Sequence, residues 1–163
     1  MLKKYLPWIA GFAALVADIL TKSWIVKTIP ISGGYDFWDG FIRITLVYND
    51  GGVFGILRGH KSVFLVVSLV VLAIMIGYYI YEKNRTFLFT TAMALIFSGA
   101  LGNILDRMIS DRPGVVDFIS IGIDNIYRWP SFNIADSVIV IGAFLLIIVF
   151  YKNEKSRETD SGN

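Results

Sequence analysis

The 163-residue chain has no cysteine and a single histidine, His60. The first absence excludes a disulfide framework, a thiolate nucleophile and a thiolate metal site. The second excludes a multi-histidine zinc centre and leaves a Ser-His-Asp triad with one candidate base. Charge is also sparse. Charged residues make up 17% of the chain, against about 25% in an average soluble domain. The formal net charge of +2, with both signs present, gives no basic stripe for a phosphate backbone, so nucleic acid is not an expected partner. What is there instead is apolar: 55% hydrophobic, 15% aromatic, mean hydropathy +0.63. At 18.3 kDa this is one domain or two small ones, and its solvent is a membrane.

Four long apolar stretches predict four transmembrane helices, at about residues 5–26, 63–81, 87–105 and 132–151. Val63–Tyr81 has 19 residues without a charge, which as a helix spans about 28 Å, close to a hydrocarbon core of about 30 Å. The first stretch is interrupted only by Asp18 and Lys22, and the fourth only by Asp136. Lys3 and Lys4 before an apolar run also suit a cleaved signal peptide. The run continues past Asp18, however, and no convincing small-x-small cleavage site precedes it, so it is read as a helix.

The fold class expected is therefore all-α integral membrane. Residues 1–152 form one membrane-embedded domain, and 153–163 form a polar, disordered cytoplasmic tail. A small extracytoplasmic β-rich loop is expected between the first two helices. There Phe41-Ile42-Arg43-Ile44-Thr45-Leu46 alternates with a strand period, and glycine pairs at Gly33-Gly34 and Gly51-Gly52 punctuate it. A short interfacial segment, helical over Ile119–Trp129, is expected between the last two. Lys3, Lys4, Lys83, Arg85, Lys152, Lys155 and Arg157 are dense in the short segments of one side, which places both termini in the cytoplasm. His60 falls at a helix entrance. Trp8, Trp24, Trp38 and Trp129 suit the membrane interfaces.

Polar residues converge near the outer ends of three helices. Asp18 and Lys22 share a face four residues apart. Asn103, Asp106 and Arg107 close the third helix. Asn133 and Asp136 open the fourth, and Asp117 lies in the loop between these two. An aspartate in mid-bilayer costs about 2.5 to 3.5 kcal/mol, so such groups need partners or a task. Pairing accounts for Asp18 with Lys22 and for Asp106 with Arg107. Asp117 and Asp136 have no basic residue within a helical turn. Two carboxylates in a dry site can share one proton, because each raises the other's pKa, and the pair can then activate water and polarise a carbonyl. Two other readings stay open on the residues alone. One is a small proton or cation transporter built on intramembrane carboxylates. The other is a metal-dependent lipid-head-group enzyme using Asp106, Asp117, Asp124 and Asp136 as oxygen ligands. Asn49-Asp50-Gly51-Gly52-Val53-Phe54-Gly55 lacks the lysine and spacing of a phosphate-binding loop and reads equally well as a tight turn. Ser98-Gly99-Ala100-Leu101-Gly102 offers small residues for close helix packing.

Taken in order, Asp18-Ile19-Leu20-Thr21-Lys22, the Asn49–Gly55 block, Gly99–Arg107, Val115-Val116-Asp117-Phe118 and Phe132-Asn133-Ile134-Ala135-Asp136-Ser137 resemble the bacterial lipoprotein signal peptidases (signal peptidase II), integral-membrane aspartic proteases. The resemblance runs from about Tyr5 to Tyr151. It implies a catalytic dyad of Asp117 and Asp136. It implies a substrate site shaped by Asn49, Gly51, Asn103, Arg107, Asn133 and Ala135, with Asp18, Lys22, Phe54, Gly102 and Asp106 positioning it. The implied substrate is a prolipoprotein whose cysteine carries diacylglycerol, cut just before that cysteine. Membrane lipids are the other expected partner, the chain is expected to be monomeric, and no metal or organic cofactor is implied. Gly52 and Val53 stand where the family usually carries small alanines.

Overall fold

The computed structural model describes residues 2–31, 33–52, 59–109 and 111–161. Phe54, Val53 and Gly55 of the glycine-rich block lie outside them. Among the described residues, four helices are long and apolar enough to cross a membrane: α1 (Leu6–Thr28), α2 (Lys61–Tyr81), α3 (Phe87–Met108) and α4 (Ile134–Ser161). Pro7 sits in the first turn of α1, where its missing N–H leaves no helical bond unmade. Thr86 caps α3 by accepting a hydrogen bond from the Phe89 amide at 3.1 Å. His60 is the residue preceding α2, as expected.

The helix α3 is the hub, packing chiefly on α4 and α1, while α2 leans on α3 and buries none of its residues. Small residues set the approach. A Cβ on Gly11 of α1 would lie 2.7 Å from the Ala94 carbonyl oxygen of α3, and one on Gly142 of α4 would lie 2.8 Å from that of Ala92. Without a hydrophobic drive between helices in lipid, such backbone proximity supplies the packing. At the end of the bundle near the α3 amino terminus, Phe89, Ala92 and Met93 pack with Leu146 and Val149.

The segments between α1 and α2 and between α3 and α4 build a single sheet. Strands β1 (Gly34–Phe37), β2 (Ile42–Asn49), β3 (Val115–Ile123) and β4 (Tyr127–Arg128) pair antiparallel in that order. The chain is thus not all-α: the segments before α2 and before α4 hydrogen-bond to each other. The expected helix over Ile119–Trp129 is instead most of β3, a turn and β4. Val115, Val116, Phe118, Ile119 and Ile121 are β-branched or aromatic and favour a pleated surface, and Asn125 takes a positive φ of 65° in the turn. A register shift between Ile44 and Val47 bulges β2 and brings Val47 opposite Asp117 and Asn49 opposite Val115. Leu46, Val116 and Phe118 of the sheet pack on Ile25 and Ile29, at and just past the end of α1, which seats the sheet on the helix bundle.

The tail also differs from expectation: α4 continues to Ser161 rather than ending near residue 152. Residues 152–158 are mostly Lys, Glu and Arg, good helix formers, and the next glycine is Gly162.

Candidate active site

Asp117 and Asp136 reach one site from different kinds of structure. Asp117 sits on β3 and is 2% exposed. Its Oδ2 accepts a hydrogen bond from Asn49 Nδ2 at 3.0 Å, and its Oδ1 accepts from Asn133 Nδ2 at 2.7 Å. The Asn49 amide is fixed in orientation because its Oδ1 accepts from the Gly51 backbone N–H at 3.2 Å, a local turn that asparagine makes readily.

Asp136 is placed by the start of α4. Asn133 Oδ1 accepts from the Asp136 N–H at 2.8 Å, and Asp136 Oδ2 accepts from the Asn133 N–H at 3.2 Å. This reciprocal cap satisfies two amides that the first turn would leave bare, and the helix dipole favours a carboxylate there. Asp136 Oδ1 accepts from Asn103 Nδ2 at 2.7 Å. Asn103 Oδ1 in turn accepts from Asn133 Nδ2 at 3.2 Å and from Lys22 Nζ at 3.0 Å.

Behind these amides lies a buried ionic cluster. Lys22 Nζ is 2.8 Å from Asp18 Oδ2 and 3.0 Å from Asp106 Oδ2. All three residues are almost fully buried, which charges tolerate only when paired, and Arg112 on Asp106 brings the cluster to balance. Asp18 Oδ1 accepts from the Ala135 N–H at 2.9 Å, so the cluster also holds the start of α4. Gly102 makes room for it, since a Cβ there would lie 2.5 Å from Asp18 Oδ2. Ala135 is fully buried against this framework and offers no open surface.

The expected Asp106–Arg107 pair does not form. Consecutive helical residues point in different directions. Asp106 faces Lys22 and Arg112, while half-buried Arg107 donates to the Asn103 carbonyl at 3.2 Å and feels the charges of Asp136, Asp117 and Asp106 without an ion-pair contact to Asp106. The oxygen-ligand reading also fails to assemble its set. Asp124 lies on the exposed β3–β4 turn, 2.9 Å from both Arg43 and Arg128, and these arginines hold its carboxyl below the usual carboxylate range.

Burial pushes the Asp117 carboxyl up to about 7, with the Asp136 charge adding to the shift; the hydrogen bonds from Asn49 and Asn133 and the charge of Lys22 oppose it. A buried carboxyl that gains and loses a proton near neutral pH, beside a second carboxyl, is the equipment of acid–base hydrolysis.

A sequence profile described as "Signal peptidase (SPase) II" matches residues 10–152. The chain belongs to the signal peptidase II family. It is therefore a protease, and its four apolar helices make it a multi-pass membrane protein. A protein named lipoprotein signal peptidase from Staphylococcus haemolyticus is 36% identical over 97% of this chain and its own whole length. One of the same name from Staphylococcus carnosus is 40% identical over 89% of this chain and 90% of its own. A solved structure described as a bacterial membrane enzyme shares 32% identity and superposes with a TM-score of 0.79, covering 92% of this chain and 90% of the other.

Two residues that brace this arrangement carry no signal in the sequence. Arg112 binds Asp106 from the loop before β3. Gly114 lies against the backbone of Asn49 and Asp50, where a Cβ would come within 2.6 Å of the Asp50 nitrogen. The close pair Asp111-Arg112 beside Pro113-Gly114 reads as an ordinary turn, and only the sheet pairing gives it a task.

Proposed function

We propose that the chain removes the signal peptide from diacylglyceryl-modified prolipoproteins, cutting just before the lipidated cysteine, with Asp117 and Asp136 as its catalytic dyad. The observation that carries this reading is the shared amide Asn133, which donates to Asp117 and caps the turn that holds Asp136. The names of the relatives support the substrate class.

With one proton on the pair, the ionised carboxylate takes a proton from water as the water oxygen attacks the scissile carbonyl carbon. The protonated carboxyl gives its proton to the carbonyl oxygen. The tetrahedral diol then collapses: the carboxyl that took the water proton passes it to the cysteine nitrogen as the C–N bond breaks, the other carboxylate takes back a proton from one diol hydroxyl, and the signal peptide leaves with a new carboxyl terminus while the pair again holds one proton. The amides of Asn49, Asn103 and Asn133 hold both carboxyls so that little reorganisation accompanies the charge shift. Arg107, facing both, limits the negative charge that builds between them.

The same reading places the protein in the bacterial cytoplasmic membrane as a monomer, with both termini in the cytoplasm and the dyad near the outer face. The density of Lys and Arg in the short segments supports that orientation. A lipid-anchored cysteine would hold its neighbouring peptide bond at that depth.

The test is cleavage of a diacylglyceryl-modified precursor peptide in detergent micelles beside its unlipidated form. Only the lipidated peptide should be cut, immediately before cysteine. Asp117→Asn and Asp136→Asn proteins should fold and leave it intact; full turnover by either removes the dyad.

A further inference from the structure

The six residues between α3 and β3 are the only covalent link from the helix hub to the strand that carries Asp117. Among the described residues, two cations hold this link. Lys61, the first residue of α2, donates from Nζ to the carbonyl of Ile109 at 2.7 Å and to that of Arg112 at 2.5 Å. Arg112 donates from Nη1 to Asp106 Oδ1. The other oxygen of the same carboxylate accepts from the Val116 N–H at 3.2 Å and meets Lys22 Nζ at 3.0 Å. Val116 is fully buried and immediately precedes Asp117.

We propose that Arg112, itself oriented by Lys61, is a positioning residue for the hydrolysis: by holding Asp106 it fixes the Val116 amide and so sets where β3 presents Asp117. This rests on the dyad reading given above. Neither cation touches the site where substrate would react, and both act through Asp106. Asp18, Lys22, Asp106 and Arg112 alternate in sign, and the four charges cancel. Removing Arg112 leaves two carboxylates on one ammonium and a free oxygen on Asp106, whose remaining bonds then have no fixed direction. Lys61 adds a second consequence. Because α2 buries none of its residues, Lys61 is a polar fastening between the start of α2 and the link that leads into the strand of Asp117.

The groups that face Asp117 from the surrounding elements are Asp136 from α4, Lys22 from α1 and Arg107 from α3, with the neutral amides Asn49 and Asn133 bonded to it. Asp106 meets the same Lys22 at 3.0 Å, so loss of the Arg112 charge leaves Lys22 more fully engaged by Asp106 and less able to favour the charged form of Asp117. The alkaline limb of the pH–rate profile, where Asp117 gives up its proton, should then move to higher pH.

The experiment compares Arg112→Gln, Arg112→Lys and Lys61→Met with the unaltered protein on the lipidated precursor peptide in micelles. Arg112→Gln should lower kcat about ten- to a hundredfold, as misplacement of a reacting group does, with KM within about twofold. Its alkaline limb should shift upward, and Arg112→Lys should recover most of the rate. Lys61→Met, at the end of an unburied helix, should give a smaller loss of kcat in the same direction and keeps the test open if Arg112→Gln does not fold. An unchanged kcat in either Arg112→Gln or Lys61→Met overturns the proposal. So does an equal loss in Arg112→Gln and Arg112→Lys with an unshifted profile, which would make Arg112 a structural group only. Failure of the dyad reading looks different, because Asp117→Asn would then retain turnover.

Discussion

Asn133 donates to Asp117 at 2.7 Å while its side-chain oxygen caps the backbone of Asp136 at 2.8 Å. One asparagine therefore binds the two carboxyls to a common geometry, using its donor on a strand and its acceptor on a helix start. Aspartic acid at this position would keep the cap and lose the donor. Asn133→Asp should thus leave a folded protein with no measurable cleavage of lipidated peptide, since it sets a third carboxylate against Asp117. Asn133→Ala loses the cap as well, and should lower stability by about 1 kcal/mol in addition.

The pH dependence follows from Asp117. Its folded pKa of about 7 lies above the model-peptide value of 3.8. A raised folded pKa means that the native state binds the proton more tightly than the unfolded chain. The stabilisation is complete below about pH 4 and is lost as pH rises to about 7. Thermal unfolding in detergent across that window should show stability falling with pH in the unaltered protein and a flatter profile in Asp117→Asn. The cleavage rate should fall above about pH 7, as the pair loses its single proton.

Lys22 is paired with two buried carboxylates, so its removal is worse than the loss of one ion pair. Lys22→Met should cost about 3 to 5 kcal/mol, the usual penalty for breaking a buried pair from one side. Adding Asp18→Asn to it should recover part of the loss. Circular dichroism melts in one detergent would measure both.

Three glycines make a steric series. Gly102→Ala drives a Cβ to 2.5 Å from Asp18 Oδ2, and Gly114→Ala drives one against the Asn49–Asp50 backbone. Each should cost about 1 to 3 kcal/mol and reduce cleavage, because each displaces a residue bound to the site. Gly77→Ala meets nothing within 4 Å and should change stability by no more than about 0.5 kcal/mol and leave cleavage intact.

Much of the bundle is legible along the chain because a membrane span writes itself locally. The uncharged run Val63–Tyr81 needs no partner to be recognised, and α2 occupies Lys61–Tyr81. The polar residues of α1, α3 and α4 stand out for the same reason, since each interrupts a run that lipid would otherwise select. The segment Ile119–Trp129 was not legible in this way. Its choice between helix and strand depended on β2, which lies some seventy residues earlier in the chain. Arg112 was hidden likewise: nothing near it in sequence says that Asp106 turns away from Arg107 to meet it.

By itself the sequence determined four apolar spans, the sparse carboxylates set into them, and the ordered motifs that mark the signal peptidase II family. These are properties of single segments in a solvent that penalises charge. Only the tertiary structure decided which carboxylates meet. It joined the segment before α2 and the segment before α4 into one sheet, gave Asp106 to Lys22 and Arg112, and put Asn103 and Asn133 between Asp117 and Asp136. The reason is physical: buried hydrogen bonds and ion pairs gain their strength from exclusion of water, and water is excluded only once distant segments have packed.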